Sequence, residues 1–119
     1  MNFKVTATPN GKGKVKITVY GPEGYSRVLV EKCKEGRFSH AAIVHYTVTQ
    51  NSVDRYVKRI KRDLPYHMVE NCKVGAEKYI GQGDWEIQMA TSKENAMKKT
   101  ANCDWYETVG VEVLEVEAA

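Results

Sequence analysis

Cysteine occurs only three times, as Cys33, Cys72 and Cys103. The number is odd, the spacing is wide and no C-x-x-C pair is present, which argues against both a disulfide framework and a zinc ribbon. Reduced, buried thiols are the expectation. No apolar run approaches the ~20 residues that a membrane span requires. The opening Met1-Asn2-Phe3-Lys4-Val5-Thr6 also lacks the apolar stretch of a secretory signal, so a cytoplasmic protein without membrane contact is expected. Signatures of catalysis are missing as well. No serine or cysteine stands in a nucleophile elbow. Gly11-Lys12-Gly13 and Gly81-Gln82-Gly83 lack the following glycine and the strand-then-helix setting of a phosphate loop, and both read as turns. The odd separation of His40 and His45 points them to opposite faces of a strand, and with His67 and Cys72 they match no structural zinc spacing. Asp84 with Glu86, and Asp104 with Glu107, read as solvated carboxylates. No metal, no cofactor and no catalytic residue is therefore expected.

What is present is ordinary globular material in an uneven electrostatic arrangement. With 119 residues, 42% hydrophobic and 28% charged, the chain suits a single domain over 1–119 with one core. The net charge of +3 conceals a division at the Leu64/Pro65 junction. Residues 1–64 hold 13 of the 18 Lys and Arg, including all five arginines, against five carboxylates. Residues 65–119 hold ten carboxylates against five lysines, and no basic residue follows Lys99. Such asymmetry suggests a charged partner surface. The plainer explanation is that neighbouring elements from the two halves complement one another.

The strongest local signal is residues 52–64. Val53, Tyr56, Val57, Ile60 and Leu64 recur at helical spacing, with Arg55, Lys58, Arg59, Lys61 and Arg62 outside that stripe. Asn51 or Ser52 is the expected cap, and Pro65 the expected stop. Upstream, Phe3, Val5 and Ala7 alternate with polar residues, as do Val15, Ile17 and Val19, and Pro9-Asn10-Gly11-Lys12-Gly13 between them predicts a hairpin. Further strands are predicted at about 25–33 and 37–49, after turns at Gly21-Pro22-Glu23-Gly24 and Lys34-Glu35-Gly36. Downstream, residues 65–75 read as an irregular connection with a short strand at 68–72. A turn at 81–84 then leads into a strand at 85–91. Ser92 caps a helix to about Asn102, with Ala96, Met97 and Ala101 inward. The final strand, 105–117, shifts its apolar residues from Val109, Val111 and Val113 to Leu114 and Val116, which predicts a β-bulge near 113–114.

The resulting expectation is an α+β domain: an antiparallel β-meander packed by one amphipathic helix (1–64, ββββα), then a β-hairpin and a β-α-β C-terminal unit (65–119). Its core is Val5, Val15, Ile17, Val19, Val44, Val57, Ile60, Ile87, Met89, Val111 and Val113. Functionally, the expectation is a small non-catalytic binding protein acting by stoichiometric interaction with a protein partner, in general character like the small inhibitors that phages and mobile elements encode. Two contact surfaces follow from the charge. One is the basic face Arg55, Lys58, Arg59, Lys61 and Arg62. The other is the acidic strand Asp104, Glu107, Glu112, Glu115 and Glu117, which would imitate phosphate toward a basic groove. The alternative is an RNA- or DNA-binding module that uses the basic helix face, supported by Lys12, Lys14, Lys16, Arg27 and Arg37 and by stacking on Tyr20, Tyr25 or Tyr46. A small nuclease or hydrolase built on His40 or His45 is the second alternative. Oligomeric state is not specified by the pattern.

Overall fold

The computed structural model describes residues 3–34, 36–101 and 103–119, the Glu23 side chain excepted. Glu35, within the third expected turn, and Asn102, at the expected end of the second helix, lie outside the described residues. The chain is α+β and dominated by sheet. Its elements are β1 (Lys4–Pro9), β2 (Lys14–Tyr20), β3 (Ser26–Lys32), β4 (His40–Thr47), α1 (Gln50–Ile60), α2 (Tyr66–Glu77), β5 (Gly83–Ala90), α3 (Lys93–Met97) and β6 (Glu107–Ala118), with a single 3-10 turn at Pro22–Gly24. No helix among the described residues is long and apolar enough to cross a membrane.

The strands follow the order β3-β2-β1-β6-β4-β5. The expected four-stranded meander therefore stops after three strands. The fourth lies between β6 and β5, and β6 runs parallel to β1 through Val5 and Val116, Thr6 and Glu117, and Ala7 and Ala118. By contact the chain forms two compact units, Met1–Ile43 with Ile87–Lys99 and Glu112–Ala119, and Val44–Glu86 with Thr100–Val111. Strands β4, β5 and β6 give residues to both.

In the first unit, β1 and β2 pair from Lys4 and Tyr20 to Pro9 and Val15, as the periodicity predicts. Val5, Val15, Ile17 and Val19 are buried, while Lys4, Lys14 and Lys16 are exposed on the opposite face. The turn closes through Asn10 N–H to Lys14 C=O at 2.8 Å, with positive φ at Gly11, Lys12 and Gly13 in succession. At the next turn, Gly21 N–H donates to Tyr25 C=O at 2.8 Å. A side chain on Gly21 would meet Tyr25 Cδ1 at 2.5 Å and Phe3 Cε1 at 2.9 Å, because those two rings meet edge to face, 5.9 Å between centroids. Ser92 caps α3 as expected, its Oγ accepting from Asn95 N–H at 3.1 Å. The helix lasts one turn, however, and Met97 is 63% exposed while Ala96 takes the buried position.

The second unit is built on α1 and α2. Thr49, not Asn51 or Ser52, is the N-cap of α1. Its Oγ1 accepts from Ser52 N–H at 3.1 Å, and Ser52 Oγ accepts from Thr49 N–H at 2.9 Å, a reciprocal capping box in which the serine is wholly buried. The helix ends at Ile60, four residues before the expected last residue Leu64, and Pro65 is instead the N-cap of α2. A helix thus replaces the predicted connection and its short strand. Its stripe is thin, only Val69, Cys72 and Ala76, and becomes informative once it packs on Val53, Val57 and Ile60 of α1 in one cluster with Val48.

The burial of β6 also departs from expectation. Val109, Val111, Glu115 and Glu117 are exposed, whereas Gly110, Glu112, Val113, Leu114 and Val116 are half-buried. Both faces are therefore partly covered at 112–114, where the apolar slip lies, and two of the valines face solvent. Val111 is therefore not core, and Val113, Ile87 and Met89 are half-buried. The other predicted core residues are buried.

Candidate functional site

Two of the five basic residues singled out by sequence meet two of the five acidic ones. Arg55 leaves α1 to donate through Nη2 to the carbonyls of Cys103 (3.0 Å) and Tyr106 (3.2 Å), and its Nη1 lies 3.7 Å from Glu107 Oε1. Arg59, one turn further, pairs with Asp104 and lies 5.7 Å from the Tyr56 ring centroid. Lys58, Lys61 and Arg62 are exposed and make no ion pair with any described residue. Of the five basic positions, then, two hold down the segment before β6 and three face solvent.

Glu107 is the acidic counterpart. Its Oε2 accepts from Thr49 Oγ1 at 2.8 Å and its Oε1 from Asn51 Nδ2 at 3.2 Å, which places a carboxylate at the positive N-terminus of a helix whose own first turn has no acid. Those two hydrogen bonds, and secondarily Arg55, hold its pKa below the ordinary carboxylate value. Glu117 pairs with Lys4 at 3.5 Å, Glu115 is exposed, and Glu112 is half-buried.

The other sequence candidates remain dispersed. His40 Nδ1 bonds Ser39 Oγ at 2.8 Å, and His45 meets the Trp85 ring edge-on at 5.5 Å. Among the described residues no three His, Cys, Asp or Glu side chains converge as a metal site would require. Cys33 is buried, Cys72 half-buried and Cys103 exposed, all as thiols. Arg37 lines a pocket with Lys98 and Lys99 in the first unit.

Two features were not located by sequence reasoning, which offered an unpaired strand edge as a contact without assigning it to a strand. The first is the free edge of β3. The Gly21 to Tyr25 bond sets the phase of the β2–β3 ladder, so Arg27, Leu29 and Glu31 direct their backbone groups toward β2. Ser26, Val28, Val30 and Lys32 direct theirs away, to the open side. Val28 and Val30 are each 54% exposed, and on the same face lie Tyr20, Lys14, Lys16 and Lys4. The signal was available in Val28-Leu29-Val30, an uninterrupted apolar triplet whose alternate members cannot all face one core. The second feature is a group of rings in the second unit: Tyr46 stacked on Tyr106 at 4.2 Å, and Trp105 between Tyr56 (5.1 Å) and Tyr79 (5.9 Å). Adjacent Trp105-Tyr106 in a short acidic segment was its sequence trace. No protein-family model, no curated protein and no solved structure matches this chain.

Proposed function

We propose that the protein acts by binding rather than catalysis, and that it engages a protein partner by accepting an extended, acidic segment against the edge of β3. The observation that carries this reading is the edge itself, where outward backbone groups and outward valines fall on the same residues, Val28 and Val30. An added strand would gain main-chain hydrogen bonds from the edge and apolar contact from alternate side chains. Natural edges are ordinarily blunted by proline, a bulge or an inward charge. Here the edge has neither proline nor bulge in β3; Arg27 and Glu31 lie on its inward face beside Val19 and Val15, and the outward face carries lysines, which complement an acidic partner. Lys4, Lys14, Lys16 and Lys32 share the face with two carboxylates of β6, Glu115 and Glu117, the second paired with Lys4. A stoichiometric blocker of a partner's exposed strand would work in this way.

The test is selection of peptides from a random library against the purified protein, followed by affinity measurement on a variant with Val30→Pro. Proline removes an N–H that points away from β2, so the β2–β3 ladder is retained while strand addition is blocked. The reading expects peptides that alternate acidic with β-branched residues and lose about tenfold or more in affinity on the variant, ~1.4 kcal/mol or above. Peptides that bind both proteins equally would contradict it. A concentration-dependent dimer abolished by the same substitution would assign the edge to a second copy instead.

A nucleic-acid reading retains Lys58 on α1, Lys61 and Arg62 in the turn after it, and Arg37, Lys98 and Lys99 around their pocket. It is weakened because Arg55 and Arg59 are already engaged. Fluorescence anisotropy against mixed RNA and DNA across a salt series decides it, since phosphate neutralisation produces a steep log–log slope.

A further inference from the structure

The rings of the second unit form more than a packing cluster. Tyr46, Tyr79, Trp105 and Tyr106 line a pocket of about 280 Å³, together with Gln82 and Asp84. They are inclined to one another rather than laid out as one platform. Tyr46 and Tyr106 are stacked with 27° between their planes, whereas Trp105 is tilted 55° to Tyr79 and braced edge-on by Tyr56 at 86°. Tyr79 and Trp105 remain 47% and 36% exposed, so the rings are accessible from solvent.

We infer that this pocket binds a methylated ammonium group, the head of a quaternary or trimethylated amine. Aromatic faces carry negative potential and attract a cation held within about 6 Å of the centroid, and cages of several rings are how proteins recognise methylated ammonium. Asp84 is the single charged residue among those lining the pocket, and it is negative. Its Oδ1 accepts from Trp85 N–H at 2.8 Å, which restrains the carboxylate in the lining. Burial, followed by the Cys103 thiol, raises the Tyr106 pKa, so the phenol is neutral near pH 7 and the charge of the lining is that of Asp84. The volume falls just under the ~300–1,000 Å³ of sites for drug-sized ligands, which suits a headgroup or a single side chain. Competing ligands fit less well. A stacked nucleotide would bring phosphate toward Asp84, and a proline-rich segment is neutral and would leave that carboxylate uncompensated.

The experiment is NMR titration of the ¹⁵N-labelled protein, following the Trp105 indole N–H. Four probes are compared: tetramethylammonium, a peptide containing trimethyllysine, the same peptide unmethylated, and the neutral isostere 3,3-dimethylbutan-1-ol. Both methylated cations are expected to give saturable shifts, with the neutral isostere weaker by about tenfold. Asp84→Asn and Tyr79→Leu should each weaken tetramethylammonium severalfold at unchanged melting temperature. Preference for the trimethyllysine peptide would assign the group to a side chain of a macromolecule, and preference for the free ion to a small amine. Equal affinity for the neutral isostere, or no saturable shift with either methylated probe, would overturn the inference.

Discussion

Glu107 shows how a residue read as surface charge becomes part of the framework. Alternation placed it among the outward glutamates of a strand, but what defines it are Thr49 and Asn51, more than fifty positions earlier. Its lowered pKa has a definite consequence for acid stability. The contribution is complete above the ordinary carboxylate range and is lost as pH falls through the lowered folded value. Glu107→Gln should therefore lower the melting temperature at neutral pH, by an amount that shrinks as the pH falls through the lowered folded value and the wild-type carboxylate is itself protonated; melts across a pH series would show this. Two backbone positions are equally specific. At Gly83 an added Cβ would stand 2.6 Å from the Tyr46 carbonyl oxygen, a backbone atom with little freedom to move. Gly83→Ala should cost about 1–3 kcal/mol in chemical denaturation. Lys12 adopts φ +51° between two glycines, so Lys12→Gly should stabilise the hairpin by about 0.5–1 kcal/mol. The turn glycines were legible because a hairpin announces itself locally, whereas the close approach at Gly83 depends on which strand lies beside it.

Among the elements, α1 and the β1–β2 hairpin were visible in the sequence and α2 was not. The stripe of α1 is wide and strongly apolar, whereas α2 buries only Val69 and Ala76 and carries Gly75 inside it. Its helicity is a product of packing on α1, not of intrinsic pattern. The start of α1 was misjudged by a few residues because both Thr49 and Ser52 can cap, and the structure uses them together. Thr49→Ala should cost about 1–2 kcal/mol. Because Thr49 Oγ1 also donates to Glu107, a double-mutant cycle of Thr49→Ala with Glu107→Gln should depart from additivity by about 0.5 kcal/mol or more. Additive effects would show that the cap and the carboxylate act independently. The position of β6 beside β1 left no local trace, since parallel pairing across a hundred residues is encoded only in the completed sheet.

For the molecule as a whole, the division of charge between the two halves of the sequence is relieved in part by mutual pairing: Arg55 with Glu107, Arg59 with Asp104, and Lys4 with Glu117. All three pairs are substantially exposed, so each is worth roughly 0–1 kcal/mol and is screened by salt. Their arrangement selects which segments meet; burial of the two cores supplies the stability. What the pairing leaves over is the surface available for recognition, and the β3 edge is the part of it where backbone, apolar and basic groups coincide. The most direct test of that account is amide chemical-shift mapping with the tightest library-selected peptide bound to the ¹⁵N-labelled protein. The account predicts shifts concentrated on residues 26–32 and their β2 neighbours, with amide exchange at Val28 and Val30 slowed as they acquire partners. Shifts centred on α1 or on the segment 103–107, with the β3 amides unmoved, would contradict it.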